Sequence, residues 1–199
     1  MSKQNIIKKQ MLQQGIISDE NEVQGLCLLL SCEFIFQSIQ SRIIDNDIAE
    51  NIFNETNYDI LKKYYDVYNN YVIYHSKHSK ETFNLINYVV NKLNPNYEAL
   101  VYNIHVPISE IVGTINNISQ IPDDFNLLIA LNYENGSGHT IAVIKKGKKF
   151  YLFDPNRGLK EYLDKSSFLN QKWYEHKSIK MINCCYIVPI QSNDCCIIQ

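Results

Sequence analysis

The apolar residues of this chain change their spacing once along its length. Up to about residue 95 they recur at the interval of amphipathic helices, whereas after residue 124 short apolar runs predict strands. Helices followed by a sheet are typical of an α+β fold built on an antiparallel sheet, and the low glycine and proline content disfavours a turn-rich all-β fold. The 199 residues suffice for one domain with a sizeable core, but not for two ordinary domains.

Three segments carry the clearest helical pattern. GLCLLLSCEFIFQSIQSRII has an apolar stripe broad enough for a largely buried helix, with Cys27 in its first turn. NYDILKKYYDVYNNYVIYHS and SKETFNLINYVVNKLN predict two amphipathic helices, the second opened by a Ser79 cap and ended by Asn94 and Pro95. PISEIVGTINNIS and KSSFLNQKWYE predict shorter helical segments.

Strands are predicted at NLLIALNY, HTIAVIK, KFYLFD and NCCYIVPI. A two-residue turn at Lys146 and Gly147, with glycine at its second position, would join the middle two as a hairpin and place His139 opposite Asp154. Opposed residues point to the same face of a sheet, about 4.5 to 5.5 Å apart at Cβ. A three-residue turn would instead send the two side chains to opposite faces.

A histidine beside an aspartate is the base half of a nucleophilic site, because the carboxylate fixes the imidazole tautomer and favours its protonated form. The alternative is that His139 and Asp154 form a polar pair with no catalytic role at the edge of the sheet. Cys27 is the candidate nucleophile, since unpaired N–H groups at a helix start stabilise a thiolate and can donate to an oxyanion. A cysteine in an apolar helix can also be inert packing, which is the role expected of Cys32.

The order of these residues along the chain resembles that of papain-like cysteine proteases, and more specifically the YopT/AvrPphB-type family of bacterial effector proteases. The family pattern places an aromatic residue, usually tryptophan, where this chain has Phe34. The stretches that carry the resemblance are Gly25-Leu26-Cys27 with Leu30 and Phe34, GHTIAV around His139, and FDPNRG with Asp154.

The resemblance implies a papain-like fold, in which a helical half with the nucleophile helix precedes an antiparallel sheet. Cys27 would be the nucleophile, His139 the general base and Asp154 the residue that orients the imidazole. An amide just upstream of the nucleophile usually completes the oxyanion hole, and here Asn21 is preferred over Gln24, although either could simply cap the helix. The implied reaction is acyl transfer to water, with no metal and no organic cofactor.

The same triad also serves deubiquitinases, transglutaminases and acyltransferases. The resemblance therefore supports the catalytic residues better than it identifies the bond that they cut. A non-enzymatic alternative is a lipid-anchored binding module. The effector resemblance implies secretion into a host cell and a host protein as substrate.

The sequence closes with Cys196-Ile197-Ile198-Gln199, which fits the C-terminal signal for prenylation by a host prenyltransferase. One prenyl chain binds membranes only marginally, and a palmitoyl group on Cys195 would supply the second signal. The predicted location is therefore the host cytosol and the cytosolic face of a host membrane. The alternative is a frayed tail with two spare cysteines.

Composition and charge argue against several other classes of protein and kinds of site. A net charge of −2 with no long basic block makes nucleic acid an unsuitable partner, and no run is long and apolar enough to span a bilayer, so the folded part is expected to be soluble. The six cysteines resemble neither a disulfide framework nor a zinc site, and alternation would turn one of Cys184 and Cys185 inward and one outward. We expect an N-terminal extension at 1–20, a protease domain at 21–191 and a flexible tail at 192–199.

Overall fold

The computed structural model describes residues 3–23, 25–77, 82–121, 123–171 and 178–190. Its helices are α1 (Gln4–Gln13), α2 (Cys27–Ser41), α3 (Asn46–Phe53), α4 (Tyr58–Lys77), α5 (Thr82–Leu93), α6 (Ile108–Gln120) and α7 (Lys165–Leu169), with a 3-10 turn at Glu20–Glu22. Its strands are β1 (Tyr97–Pro107), β2 (Phe125–Tyr133), β3 (Gly138–Lys146), β4 (Lys149–Asp154), β5 (Gly158–Tyr162) and β6 (Ile179–Pro189).

The described strands form one sheet in the order β1-β6-β2-β3-β4-β5, and all neighbours are antiparallel. The predicted α+β class with an antiparallel sheet is therefore confirmed. Strands β1 and β5 were not predicted. The pairing of β1 with β6 is interrupted near Asn103 and again before Val106, and such irregularities break the alternation by which a strand is recognised. The short β5 carries few apolar residues.

Both faces of the sheet are covered. Helices α1 to α5 contribute to a core on one face, whereas α6 and α7 pack on the other. Cys185 lies in the first core and Cys184 in the second, and both are fully buried. The expectation that one of this pair faces outward is wrong, because a sheet covered on both sides has no outward face at a central strand.

Among the helices of the described ranges, none combines the length and the hydropathy that a membrane span requires.

The turn between β3 and β4 differs from the predicted one. Lys146 pairs with Lys149, so the two turn residues are Gly147 and Lys148, and Gly147 has φ of 58°. Glycine at the first central position with positive φ is typical of a type II′ turn, whereas the prediction placed it at the second position. Each β3 residue therefore pairs two positions further along β4 than predicted.

This correction leaves His139 and Asp154 on the same face. The side-chain period of a strand is two, so a shift of two residues preserves the faces and changes only the partner. Extended past its last pair, Ala142 with Phe153, the observed register makes His139 and Asp154 diagonal neighbours instead of directly opposed residues. Diagonal positions remain within reach of a long side chain such as histidine.

Candidate active site

Helix α2 positions the Cys27 thiol. Cys27 is the first residue of the helix, Leu26 occupies the N-cap position without a side-chain cap, and Gly25 precedes it with φ of 80°. A Cβ would be strained at that φ, which explains the glycine. The first N–H groups of a helix have no partner within it, so the thiol lies at a cluster of backbone donors. Cys27 as a whole is only 6% exposed.

A buried hydrogen bond joins α2 to the histidine strand. The Ser31 hydroxyl, one turn after Cys27, donates to the Thr140 carbonyl at 3.1 Å. Thr140 follows His139 directly, so this bond and the surrounding apolar core fix the distance between the helix start and the imidazole. The nucleophile candidate is thereby held against the strand that carries the base candidate.

The turn after β4 fixes the Asp154 carboxylate. The Arg157 N–H donates to the Asp154 carbonyl at 2.9 Å, and the Asn156 N–H donates to Asp154 Oδ1 at 2.8 Å. Pro155 suits the second position of such a turn, and Gly158, with φ of 98°, returns the chain into β5. FDPNRG is thus a turn motif in which the Asp154 side chain accepts a backbone hydrogen bond from Asn156.

The structure brings Cys27, His139 and Asp154 together. His139 Nε2 lies 2.8 Å from Asp154 Oδ1, and these two side chains are 12% and 15% exposed. Cys27 lines the same cavity as these two residues and is among the causes that raise the pKa of the imidazole. Because Nε2 is engaged by the carboxylate, Nδ1 is the ring nitrogen left for the sulfur.

The pKa values of the pair are strongly perturbed. Burial lowers the pKa of His139, but hydrogen bonds to Asp154 and Cys27 and the charges of both partners outweigh burial and raise it from 6.5 to about 9. Burial raises the pKa of Asp154, whereas its hydrogen bond and attraction to His139, the Asn156 N–H and the Arg157 charge bring it below its ordinary value. The arrangement therefore favours an imidazolium beside a carboxylate.

Two cavities adjoin this group of side chains, and both contact Gly25, Cys27, Leu131, Gly138 and His139. The large cavity has a volume of about 800 Å³ and continues along Asp154, Asn156 and Arg157. The small cavity has a volume of about 250 Å³ and extends between the helices and the ends of β2 and β3. Both cavities therefore border the two residues that carry the thiol and the imidazole.

Two tyrosines near the thiol were not predicted as site residues. Tyr133 lines the large cavity, and its pKa is raised by burial and by the negative charges of Asp154 and Cys27. Tyr71 lines the small cavity, and its pKa is raised by burial and by the charge of Cys27. Tyr71 is one of several tyrosines at helical spacing in α4, so no sequence signal separated it from the rest.

Asn21, the preferred candidate for the oxyanion hole, is not brought to the site. Asn21 is exposed on the 3-10 turn, where its N–H donates to Asp19, and it lines neither cavity. Gln24, Cys195 and Cys196 lie outside the described residues. Across the described ranges, no three His, Cys, Asp or Glu side chains form a group that could hold a metal ion.

Comparisons with known proteins agree with the fold. It is similar to the crystal structure of the Pseudomonas avirulence protein AvrPphB, with a TM-score of 0.51 and 20% identity over 82% of this chain and 91% of that chain. This likeness confirms the expected papain-like α+β fold. No curated protein matches the chain.

A family model, Peptidase_C58, described as Yersinia/Haemophilus virulence surface antigen, matches residues 76–181, just over half of the chain. The matched range contains His139 and Asp154, while Cys27 precedes it. The predicted relation to YopT/AvrPphB-type proteases is thereby confirmed. The chain belongs to the Peptidase_C58 family and is a cysteine protease of the bacterial effector type.

Proposed function

We propose that the protein hydrolyses a host protein through a triad of Cys27, His139 and Asp154. The observation that supports this proposal is that Cys27, His139 and Asp154 line one open cavity, in which the imidazole is hydrogen-bonded to the Asp154 carboxylate. A merely structural pair closing a sheet edge would need neither a cavity beside it nor a cysteine at a helix start in that cavity.

The proposed reaction has two halves. In the first, the Cys27 thiolate attacks the scissile carbonyl, the N–H groups at the start of α2 donate to the oxyanion, and the His139 imidazolium protonates the leaving amine as the C–N bond breaks. In the second, neutral His139 takes a proton from water, the hydroxide attacks the thioester, and the thiolate leaves. Gln24, three residues before Cys27 in the sequence, would add a side-chain donor to the oxyanion hole.

Asp154→Asn tests the orienting role through pH. Loss of the carboxylate removes the charge that stabilises the imidazolium, so the pKa of His139 should fall from about 9 towards 6.5. The alkaline limb of kcat/KM should move to lower pH, and kcat/KM at pH 8 should fall at least about tenfold. Measurements are pH profiles with a fluorogenic peptide selected from a library, and an NMR titration of the His139 ring.

The free energy of unfolding should also depend on pH, through both members of the pair. The raised pKa of His139 stabilises the fold fully below pH 6.5, and this contribution is lost as the pH rises through about 9. The lowered pKa of Asp154 stabilises the fold at pH values above the ordinary pKa of 3.8, and this contribution is lost as the pH falls through the pKa of the folded state.

The matched control for Asp154→Asn is Asp66→Asn, which removes an exposed charge on α4. An alkaline limb unchanged by Asp154→Asn would contradict the orienting role.

We also propose that the enzyme is held at the cytosolic face of a host membrane by its own C-terminus. The support is the sequence Cys195-Cys196-Ile197-Ile198-Gln199, which offers a prenylation site preceded by a cysteine that can be palmitoylated. Such an anchor would concentrate the protease near membrane-bound protein substrates.

Expression in a eukaryotic cytosol tests the anchor. The intact mass should rise by one prenyl group and lose the last three residues, and the protein should sediment with membranes. Cys196→Ser should abolish both effects, whereas Cys195→Ser should keep the prenyl group but weaken membrane retention, because one lipid chain binds only marginally. An unmodified mass in cells with active prenylation would rule the anchor out.

A further inference from the structure

The turn that carries Asp154 is contacted by the start of helix α1. The Gln4 N–H donates to the Pro155 carbonyl at 2.9 Å, and the Lys3 N–H donates to the Asn156 carbonyl at 3.2 Å. The first N–H groups of a helix have no partner within it, and Lys3 at the N-cap position supplies no side-chain cap. The two carbonyls of the turn therefore pair with donors that α1 itself cannot satisfy.

The Gln4 side chain reaches the residue that fixes the carboxylate. Gln4 Nε2 donates to Asn156 Oδ1 at 2.8 Å. The backbone N–H of Asn156 donates to Asp154 Oδ1 at 2.8 Å, and the same oxygen lies 2.8 Å from His139 Nε2. A series of three hydrogen bonds therefore connects α1 to the imidazole.

Helix α1 is itself fixed to the rest of the domain. Ile7 and Met11 are fully buried in the core that covers one face of the sheet. The Lys3 ammonium pairs with Glu50 of α3 and lies 5.2 Å from the centroid of the Phe53 ring. The start of the helix is thus attached to α3 as well as to the turn.

The Lys3 side chain also contacts the end of the turn. A Cβ at Gly158 would lie 3.4 Å from Lys3 Cε and from Lys3 Nζ, and the φ of 98° at this position favours glycine. Lys3 and Gln4 together therefore contact three residues of the turn, Pro155, Asn156 and Gly158.

We propose that Gln4 is a positioning residue of the triad, which holds the Asp154 carboxylate against the His139 imidazole by way of Asn156. This inference rests on the proposed proteolytic function. A carboxylate orients an imidazole well only where further hydrogen bonds lock its own rotamer. The start of α1, in the region predicted as an N-terminal extension at 1–20, then belongs to the catalytic machinery.

Gln4 acts on the turn and not on the substrate. It lines the large cavity, but its Nε2 is engaged by Asn156 and its Oε1 is buried. A substrate in the cavity therefore finds neither polar atom of the amide free to bind it. The role of Gln4 is predicted to appear in kcat and in the titration of His139 instead of in KM.

Gln4→Met tests this role, because it keeps the length of the side chain, removes the Nε2 donor and changes no charge. The charged groups that act on the pair, Cys27 and Arg157 besides Asp154 and His139 themselves, all remain. A fall in the pKa of His139 would then reflect the geometry of the pair and not a lost charge.

The measurements use the full chain. In an NMR titration of the His139 ring, the pKa in Gln4→Met should lie between those of the wild type and of Asp154→Asn, because the carboxylate is present but less firmly held. With a fluorogenic peptide selected from a library, kcat should fall about tenfold while KM stays within about twofold. A purely structural role would lower the melting temperature and leave the titration and kcat of the folded protein unchanged.

The matched control is Gln13→Met, the same substitution at the exposed last position of α1. Its kcat, its KM and the titration of its His139 ring should all match those of the wild type. The difference between the two variants isolates the contact with the turn from the general effect of placing methionine in this helix.

A double-mutant cycle tests whether Gln4 acts through Asn156. Asn156→Ala removes the acceptor of the Gln4 bond but keeps the backbone N–H that donates to Asp154. The two single variants should lose similar factors in kcat, and the double variant should lose no more than either of them. Losses that multiply in the double variant would overturn the proposed connection.

The outcomes separate the two proposals. If the wild type cleaves peptides through Cys27 while Gln4→Met keeps the wild-type kcat and His139 titration, the inference about Gln4 is wrong. If the wild type cleaves none of the library and Cys27 is not labelled by a thiol-directed probe, the proposed function itself fails, whatever the titration shows.

Discussion

Cys27→Ala should abolish peptide cleavage, with a loss of about 10⁴-fold or more in kcat/KM. Every covalent step of the proposed reaction passes through the Cys27 sulfur, so no neighbouring group can replace it. His139 and Asp154 should remain paired, because their bond and the Asp154 turn do not involve the thiol. Cleavage of the selected fluorogenic peptide and labelling by biotinylated iodoacetamide, mapped by mass spectrometry, give the two measurements.

Cys32→Ala is the matched control on the same helix. Cys32 is fully buried, and burial raises the pKa of its thiol well above the ordinary value, so it should neither react with the probe nor support cleavage. Burial also raises the pKa of Cys185 to about 11 and that of Cys184 to about 12. Undiminished cleavage by Cys27→Ala would refute the mechanism.

Phe153→Ala should cause the largest loss of stability, about 3 to 5 kcal/mol. Phe153 is fully buried and stacks on Phe34 of α2, with ring centroids 4.4 Å apart and planes at 4°, and on Phe53 of α3 at 5.4 Å. Truncation would leave a cavity where the sheet meets two helices. For a domain of this size each kcal/mol lowers the melting temperature by about 2 to 4 °C, so a fall of roughly 6 to 20 °C is expected by circular dichroism.

Leu163→Ala provides the comparison, because this large apolar side chain just after β5 is 69% exposed. Its effect should stay within about 0.5 kcal/mol. Since Phe153 directly precedes Asp154, Phe153→Ala should also lower activity at temperatures where the variant is still folded. A loss of less than about 1 kcal/mol would show that the aromatic stack does not hold α2 on the sheet.

The aromatic stack also accounts for Phe34 in this chain. The related family usually has tryptophan at the corresponding position. Phe34 is fully buried with its ring parallel to that of Phe153, so the space at this position is matched to a six-membered ring. The departure from the family pattern therefore changes the packing beneath the site and leaves Cys27 at the start of the helix.

Regular elements with strong periodicity were predicted well. The helix that begins at Cys27 and strands β2, β3 and β4 were all expected near their observed positions. Their patterns are local, since each records which side of one element is buried. Strands β1 and β5 were missed because bulges interrupt the alternation of the first and the second is short and polar.

The register of the β3–β4 hairpin shows where local reasoning stops. The sequence Lys146-Gly147-Lys148 admits glycine at either central position of a two-residue turn, and the observed turn uses the first. The predicted partners were therefore wrong by two residues. His139 still reaches Asp154, because a displacement of two keeps both side chains on one face.

The class of fold, the helix start at Cys27 and the common face of His139 and Asp154 follow from the sequence alone, because short-range periodicity and turn chemistry encode these features. The placement of Cys27 beside the histidine strand depends on the packing of α2 against β3, where Ser31 donates to Thr140, 109 residues away, and contacts over such a distance leave no mark on local periodicity.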